Sequence, residues 1–248
     1  MKHSLSLQAG LSMVELLIAM AISSFLILGI TQIFIDNKRN YVYQQNQSAN
    51  QETSRFAQLI FEQQLYKAGY RQQPQDAMVV AFPASTATGC PAFAAGDVIK
   101  PTTDGQGVCF RYQRAATTER DCQGNLIASD APITVRMQRS STGDIQCAVN
   151  GGAATSLLSG VNQIQFQYGV DINADRIADA YVAYNAIPTS TSVVSVRYAT
   201  LVESTSSSVA LGSDGYYFPL SSTTATTPTD KKLYLSVQGT TTLRNIAP

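Results

Sequence analysis

The 248-residue chain has one histidine, His3, and lacks both a Gly-rich phosphate loop of the Walker type and a dinucleotide fingerprint. No two cysteines form a CxxC pair, which weakens zinc and redox readings. No readable spacing of carboxylates supports a two-acid mechanism, so the chain is not expected to be an enzyme. The charge is balanced, with 17 basic and 17 acidic residues, so no strongly basic surface advertises nucleic acid and no direct nucleic-acid binding is expected. From Leu11 to Ala68 there is no proline, and Gly29 is the one glycine. Nothing in that stretch breaks a helix.

What is present begins with an apolar run, "LQAGLSMVELLIAMAISSFLILGITQIFI", interrupted by a single acid, Glu15. As a helix, the part from Leu11 to Ile35 spans about 37 Å, enough to cross a hydrocarbon core of about 30 Å with some tilt. A secretory signal is cut after its apolar core; the candidate cut here lies before it, at Gly10, and leaves the span in place. A carboxylate within such a span is costly and marks function by default, so Glu15 is the first candidate site residue. The same helix continues in polar sequence to about Gly69, for a total of roughly 87 Å. Phe56, Leu59, Ile60 and Tyr66 recur at three- and four-residue steps as its expected packing face.

The segment Gly10-Leu11-Ser12-Met13-Val14-Glu15 resembles the prepilin motif of type IV pilins and pseudopilins: Gly before the cut, an apolar residue after it, Glu at mature position five. Leu11 stands where Phe is usual. The resemblance implies cleavage after Gly10 by a prepilin peptidase and N-methylation of Leu11. His3 would leave with the leader, and the mature chain would have no imidazole for a triad or a His-ligated metal. Glu15 would pair with the N-terminal ammonium of a neighbouring subunit in an apolar setting, where an unpaired charge is strongly penalised, and so set the axial register.

Beyond the helix the pattern becomes β. "MVVAF" at Met78, "GVCFRYQR" at Gly107, "ITVRMQR" at Ile133, "IQCAV" at Ile145, "IQFQYGV", "SVVSVRYATLVES" and "LYLSVQGTTTLR" read as strands of an antiparallel sheet, one face of which packs on the long helix. The Ser/Thr-rich "STSSSVALGSDGYYFPLSSTTATTPTDKK" reads as a long mobile loop with too few apolar residues for a core. Cys90, Cys109, Cys122 and Cys147 lie beyond the span, in an oxidising compartment on this orientation. Of three connectivities, Cys90 with Cys109 and Cys122 with Cys147 are the expected pairs, because each closes a short loop. In "DINADRIAD", Asp171, Asn173, Asp175, the Ile177 carbonyl and Asp179 fall at alternate positions of an EF-hand-like loop, without its turn Gly and bidentate Glu. Calcium is the one cofactor suggested, and a metal-free polar turn is the equal alternative.

"FQYGVDINADRIADAYV", "SVVSVRYATLVES" and the closing "TTTLRN" are similar to the PilW family of minor pilins, relatives of J-type pseudopilins. The resemblance implies an α+β pilin-like fold: residues 1–10 a leader, 11–35 the membrane and filament-core helix, 36–69 its periplasmic continuation, 70–248 the β-rich head. It implies a minor pilin that primes assembly and joins the tip complex in twitching motility, adhesion and DNA uptake. A pseudopilin of a secretion or competence apparatus and a membrane-anchored binding module or adhesin are the alternatives. The implied partners are other minor pilins, the major pilin, the peptidase, the inner-membrane assembly platform and a large tip adhesin. The implied location is the inner membrane with a periplasmic head, then the pilus surface.

Overall fold

The computed structural model describes residues 12–246, apart from 190, 208, 211, 213, 214 and 220. One helix, α1, runs from Met13 to Leu65, uninterrupted at Gly29, where an added Cβ would meet nothing within 4 Å. Two compact units meet inside it, with the boundary between Gln45 and Asn46. The helix stops where Gly69 adopts a left-handed φ of 76° and donates its N–H to the Arg111 carbonyl at 2.8 Å, a conformation in which glycine pays no Cβ penalty. The Asn245 amide donates to the carbonyls of Tyr66 and Ala68, at 2.9 and 3.0 Å, and so satisfies helix-end acceptors from the far end of the chain.

The second unit has two antiparallel sheets where the strand pattern alone suggests one. Strands β1 (Ile99–Pro101), β2 (Gly107–Tyr112), β3 (Ile133–Arg139), β4 (Ile145–Val149) and β5 (Thr155–Leu158) pair in chain order. Strands β6 (Val161–Asp171), β7 (Ala180–Val182), β8 (Ser192–Glu203) and β9 (Tyr234–Thr242) form the other sheet, in the order β7-β6-β8-β9. The break falls at Gly160, whose φ of 87° turns the chain out of the first sheet. The Val161 N–H then bonds the Gly143 carbonyl at 2.9 Å, and the Tyr168 hydroxyl donates to the Gly107 carbonyl at 3.2 Å, tying the sheets together.

A single hydrophobic core joins both sheets to the last turns of α1. Phe61 is fully buried, edge-on to Phe166 at 5.4 Å and tilted on Tyr198 at 5.1 Å. Burying such a ring is worth about 1.5–3 kcal/mol. The helix face that packs is Asn46, Asn50, Ser54, Ala57, Phe61 and Leu65. The expected face is thereby corrected: Phe56, Leu59 and Tyr66 are exposed and Ile60 is half-buried. The apolar signal misleads because half of the true stripe is polar: Asn50 is tolerated there because a partner meets it, whereas the small Ser54 hydroxyl is buried without a partner among the described residues. The Asn50 amide donates to the Leu233 carbonyl at 3.0 Å, and the Tyr198 hydroxyl donates to the Gln58 carbonyl at 3.2 Å.

Two further expectations change. "MVVAF" forms a one-turn helix, α2 (Met78–Ala81), and among the described residues no strand pairs with it. The Ser/Thr-rich segment, among its described residues, packs Phe218 and Tyr216 against Ala199, Leu201 and Tyr234 on the outer face of β8 and β9, with Tyr216 bridged to Thr226. Few apolar residues suffice there, because the sheet supplies the other half of the cluster.

Candidate assembly surface

Every side chain of α1 from Met13 to Tyr41 is exposed, including Leu16, Leu17, Phe25, Leu28, Ile30 and Phe34. A helix apolar on all sides belongs among lipid chains or other helices, since water would charge for the whole surface. Its hydroxyls are already satisfied: Ser23 donates to the Ala19 carbonyl, Ser24 to Ala21 and Thr31 to Ile27, at 2.7 to 2.8 Å. No water is needed for them, as a hydrocarbon setting demands. At the polar end, the Gln32 amide donates to both Asp36 oxygens at 3.1 Å. Glu15, in the first turn, has no partner among the described residues. Gly10 and Leu11, the expected processing residues, lie outside the described residues.

In the other unit, disulfides join Cys90 to Cys109 and Cys122 to Cys147. The first ties residues 82–97 down onto β2, where the neighbouring Arg111 is fully buried. Its guanidinium donates to the carbonyls of Asp97, Pro83, Phe82 and Ala94 and to the Ser85 hydroxyl, and it lies over the Phe93 and Phe82 rings at 4.7 and 5.4 Å. Burial pushes its pKa down, opposed by the charge of Asp97. This cation organises a covering loop and is not placed for chemistry. A cleft of about 600 Å³ beside β1 carries two charged lining residues among those described, Asp97 and Lys100, which pair with each other at 2.8 Å.

The acidic loop closes on its own amides. Asp171, buried at the end of β6, accepts the N–H groups of Ala174 and Arg176 at 2.7 and 2.8 Å. Asn173 accepts the N–H of Asp175, Asp175 that of Ile177, and Asp179 that of Ile172. The Asn173 amide reaches both Asp175 and Asp179, at 3.2 and 3.3 Å, and bridges the two acids. Arg176 contributes its backbone, with φ 66°, the left-handed turn for which calcium loops use Gly. Among the described residues no three acidic, His or Cys side chains group as metal ligands. The Asx turns, legible as Asp and Asn at two-residue steps, account for the spacing.

Residues 128–245 match the family model of the type IV pilus-assembly protein W, and residues 5–31 match the prokaryotic N-terminal methylation motif. The two matches make the chain similar to the PilW family of type IV pilin-like proteins. Such proteins are structural and not enzymes. The methylation match contains Gly10, Leu11 and Glu15 and implies processing by a prepilin peptidase. Together with the apolar helix, it fits an inner-membrane-anchored pilin with other pilins as partners. The PilW match begins ahead of β3 and ends at Asn245, the residue that caps α1. No curated protein matches the chain. Among solved structures it is similar to a type IV-like pilin from Thermus thermophilus, at 14% identity and a TM-score of 0.45, over 79% of this chain and 97% of that one.

Proposed function

We propose that this chain is a minor pilin that primes pilus assembly and takes a place in the tip complex, with its head in the periplasm before assembly and on the pilus afterwards. Glu15 is the observation that supports the reading most: a carboxylate without a partner among the described residues, on an apolar stretch whose hydroxyls, Ser23, Ser24 and Thr31, bond the helix's own carbonyls. An ammonium at the N-terminus of a neighbouring helix, created by cleavage after Gly10, supplies the missing charge. An apolar surrounding then makes misregistered packing costly. On this reading residues 1–10 are the leader, 11–35 the filament-core helix, 36–69 its continuation and 70–248 the head.

The test is Glu15→Ala and Glu15→Gln in cells that make the pilus. Both variants should insert normally and be incorporated much less, while Gly10→Val should stay unprocessed. Wild-type incorporation of both Glu15 variants would sink the pairing role.

A weaker proposal concerns calcium at Asp171, Asn173, Asp175, the Ile177 carbonyl and Asp179. Binding would require Asn173 to swing its amide away and present its oxygen, so any occupancy is weak, in the range of about 10⁻⁴ to 10⁻³ M.

A further inference from the structure

We propose that the free edge of β9 is a docking site for an extended strand of another pilus subunit, an inference that rests on the assembly role above. Strand β9 ends its sheet, with β8 on one side and, among the described residues, no strand on the other. The direction of its backbone groups follows from two contacts. The Gln238 carbonyl accepts the side-chain amide of Gln58 at 2.9 Å, so it points away from β8. The Leu243 N–H bonds the Val194 carbonyl and the Leu233 carbonyl accepts the Ser204 N–H, so odd-numbered residues face β8. Tyr234, Ser236, Gln238, Thr240 and Thr242 therefore aim their N–H and C=O groups outward.

Ser236, Gln238, Thr240 and Thr242 are also exposed, and the Gln58 amide reaches that row of backbone groups at the Gln238 carbonyl. An edge of this length is normally blunted by charge, proline or a bulge. The residues Tyr234–Thr242 contain no charge and no proline, and their register with β8 is unbroken from Glu203 to Ser195.

The occupant follows from the chemistry offered. Alternating donors and acceptors along a strand are matched by another extended backbone, not by a helix, whose groups are spent internally, nor by a small molecule. Exposed Lys231 at one end of the strand stands beside exposed Asp230, and Arg244 at the other end lies over the Tyr66 ring at 5.0 Å, so the flanking charges are already matched. The incoming strand is accordingly selected by its backbone and is neutral in its middle, like Tyr234–Thr242 itself. Gln58 holds the central carbonyl in the meantime and rotates aside or shares it, since a carbonyl has two lone pairs.

Proline at an outward position removes a docking N–H and leaves the internal ladder whole, as proline is tolerated at sheet edges. The experiment uses the full chain in piliated cells. A photo-crosslinking residue replaces Thr242, with and without Ser236→Pro plus Thr240→Pro, and cross-linked peptides are mapped. The expected result is a cross-link to a β-segment of another pilus subunit that falls at least about tenfold in the double-proline variant, as expected for two lost ladder hydrogen bonds and a steric block. Thermal unfolding of the purified chain in detergent should match wild type, whereas Val237→Pro, facing β8, should unfold the head. Cross-links that are absent, confined to this chain, made to a helix, or unchanged by the prolines would overturn the proposal. If Glu15→Ala blocks incorporation while the double-proline variant does not, the edge proposal falls and the pilin reading stands. If Glu15→Ala has no effect while the edge cross-link persists, the reverse holds.

Discussion

The two halves of α1 share one backbone geometry and differ in everything their side chains meet. Residues 13–35 bury nothing and pair their hydroxyls with their own carbonyls. Residues 46–65 bury a stripe in which Asn46, Asn50 and Ser54 precede Ala57, Phe61 and Leu65. The more hydrophobic half is thus the one without a core, and the half that builds the core is polar along much of its contact line. Apolar content reports the solvent a helix is made for, and buried stripe reports its partner. The first half needs lipid or sister helices, while the second is matched to the two sheets of the head.

The sharpest way to break this comparison is to truncate one ring in each half. Phe61→Ala should destabilise the head by about 3–5 kcal/mol, measured by denaturant unfolding in detergent with near-UV dichroism. Phe34→Ala removes a ring of equal size from an exposed position and should change the same transition by no more than about 0.5 kcal/mol. Equal losses would show that the halves are one cooperative unit.

Next in size is Arg111→Met, which orphans several buried carbonyls and should cost about 2–4 kcal/mol in the same assay. Arg111→Lys should recover little, because an ammonium cannot reproduce the planar fork. A near-neutral Lys variant would mean that charge alone holds residues 82–97.

Asn50→Leu tests whether the polar stripe is needed at all. The Leu233 carbonyl keeps its bond from Ser204, so the loss should be only about 1 kcal/mol. A larger loss would make the polar groups specific anchors of the helix on its sheet.

Titration should separate the halves again. Burial alone would raise Asp104, but the Thr102 hydroxyl and Gln106 amide outweigh it and hold the carboxyl below its usual range. A depressed folded value contributes stability above about pH 3.9 that is lost as pH falls through it. Burial raises Tyr198 and Tyr168, so their contribution is present below about pH 10 and lost as pH rises through the folded values. The head's near-UV signal should therefore weaken at both extremes while helical far-UV signal from the apolar half persists. Joint loss of both signals would merge the halves.

The smallest effect expected is that of calcium. At millimolar concentration it should raise the head's melting point slightly, through the 171–179 loop, and leave the apolar half unchanged. No shift, with or without Asp175→Ala, would assign the loop to its own amides.

Much of this was legible in advance. Absence of helix breakers specifies α1 because each residue then adds one backbone bond, and the period-two pattern specifies β6, β8 and β9. The cysteine pairs are the expected ones, each closing a short loop. The prepilin spacing around Glu15 is a local motif and needs no fold to be read.

Sequence by itself therefore determined the elements whose causes are local: the long helix, the apolar span, most of the strands, and the Gly10 to Glu15 motif. The tertiary structure decided what depends on neighbours distant in sequence. It decided which face of α1 is buried, because the sheet supplies partners for Asn50 and Ser54 carries no such signal of its own. It split the strands into two sheets, because Gly160 turns between them, and it buried Arg111 under a loop contributed by residues 82–97. It also left β9 at an edge, and an edge exists only once every other strand has taken its place.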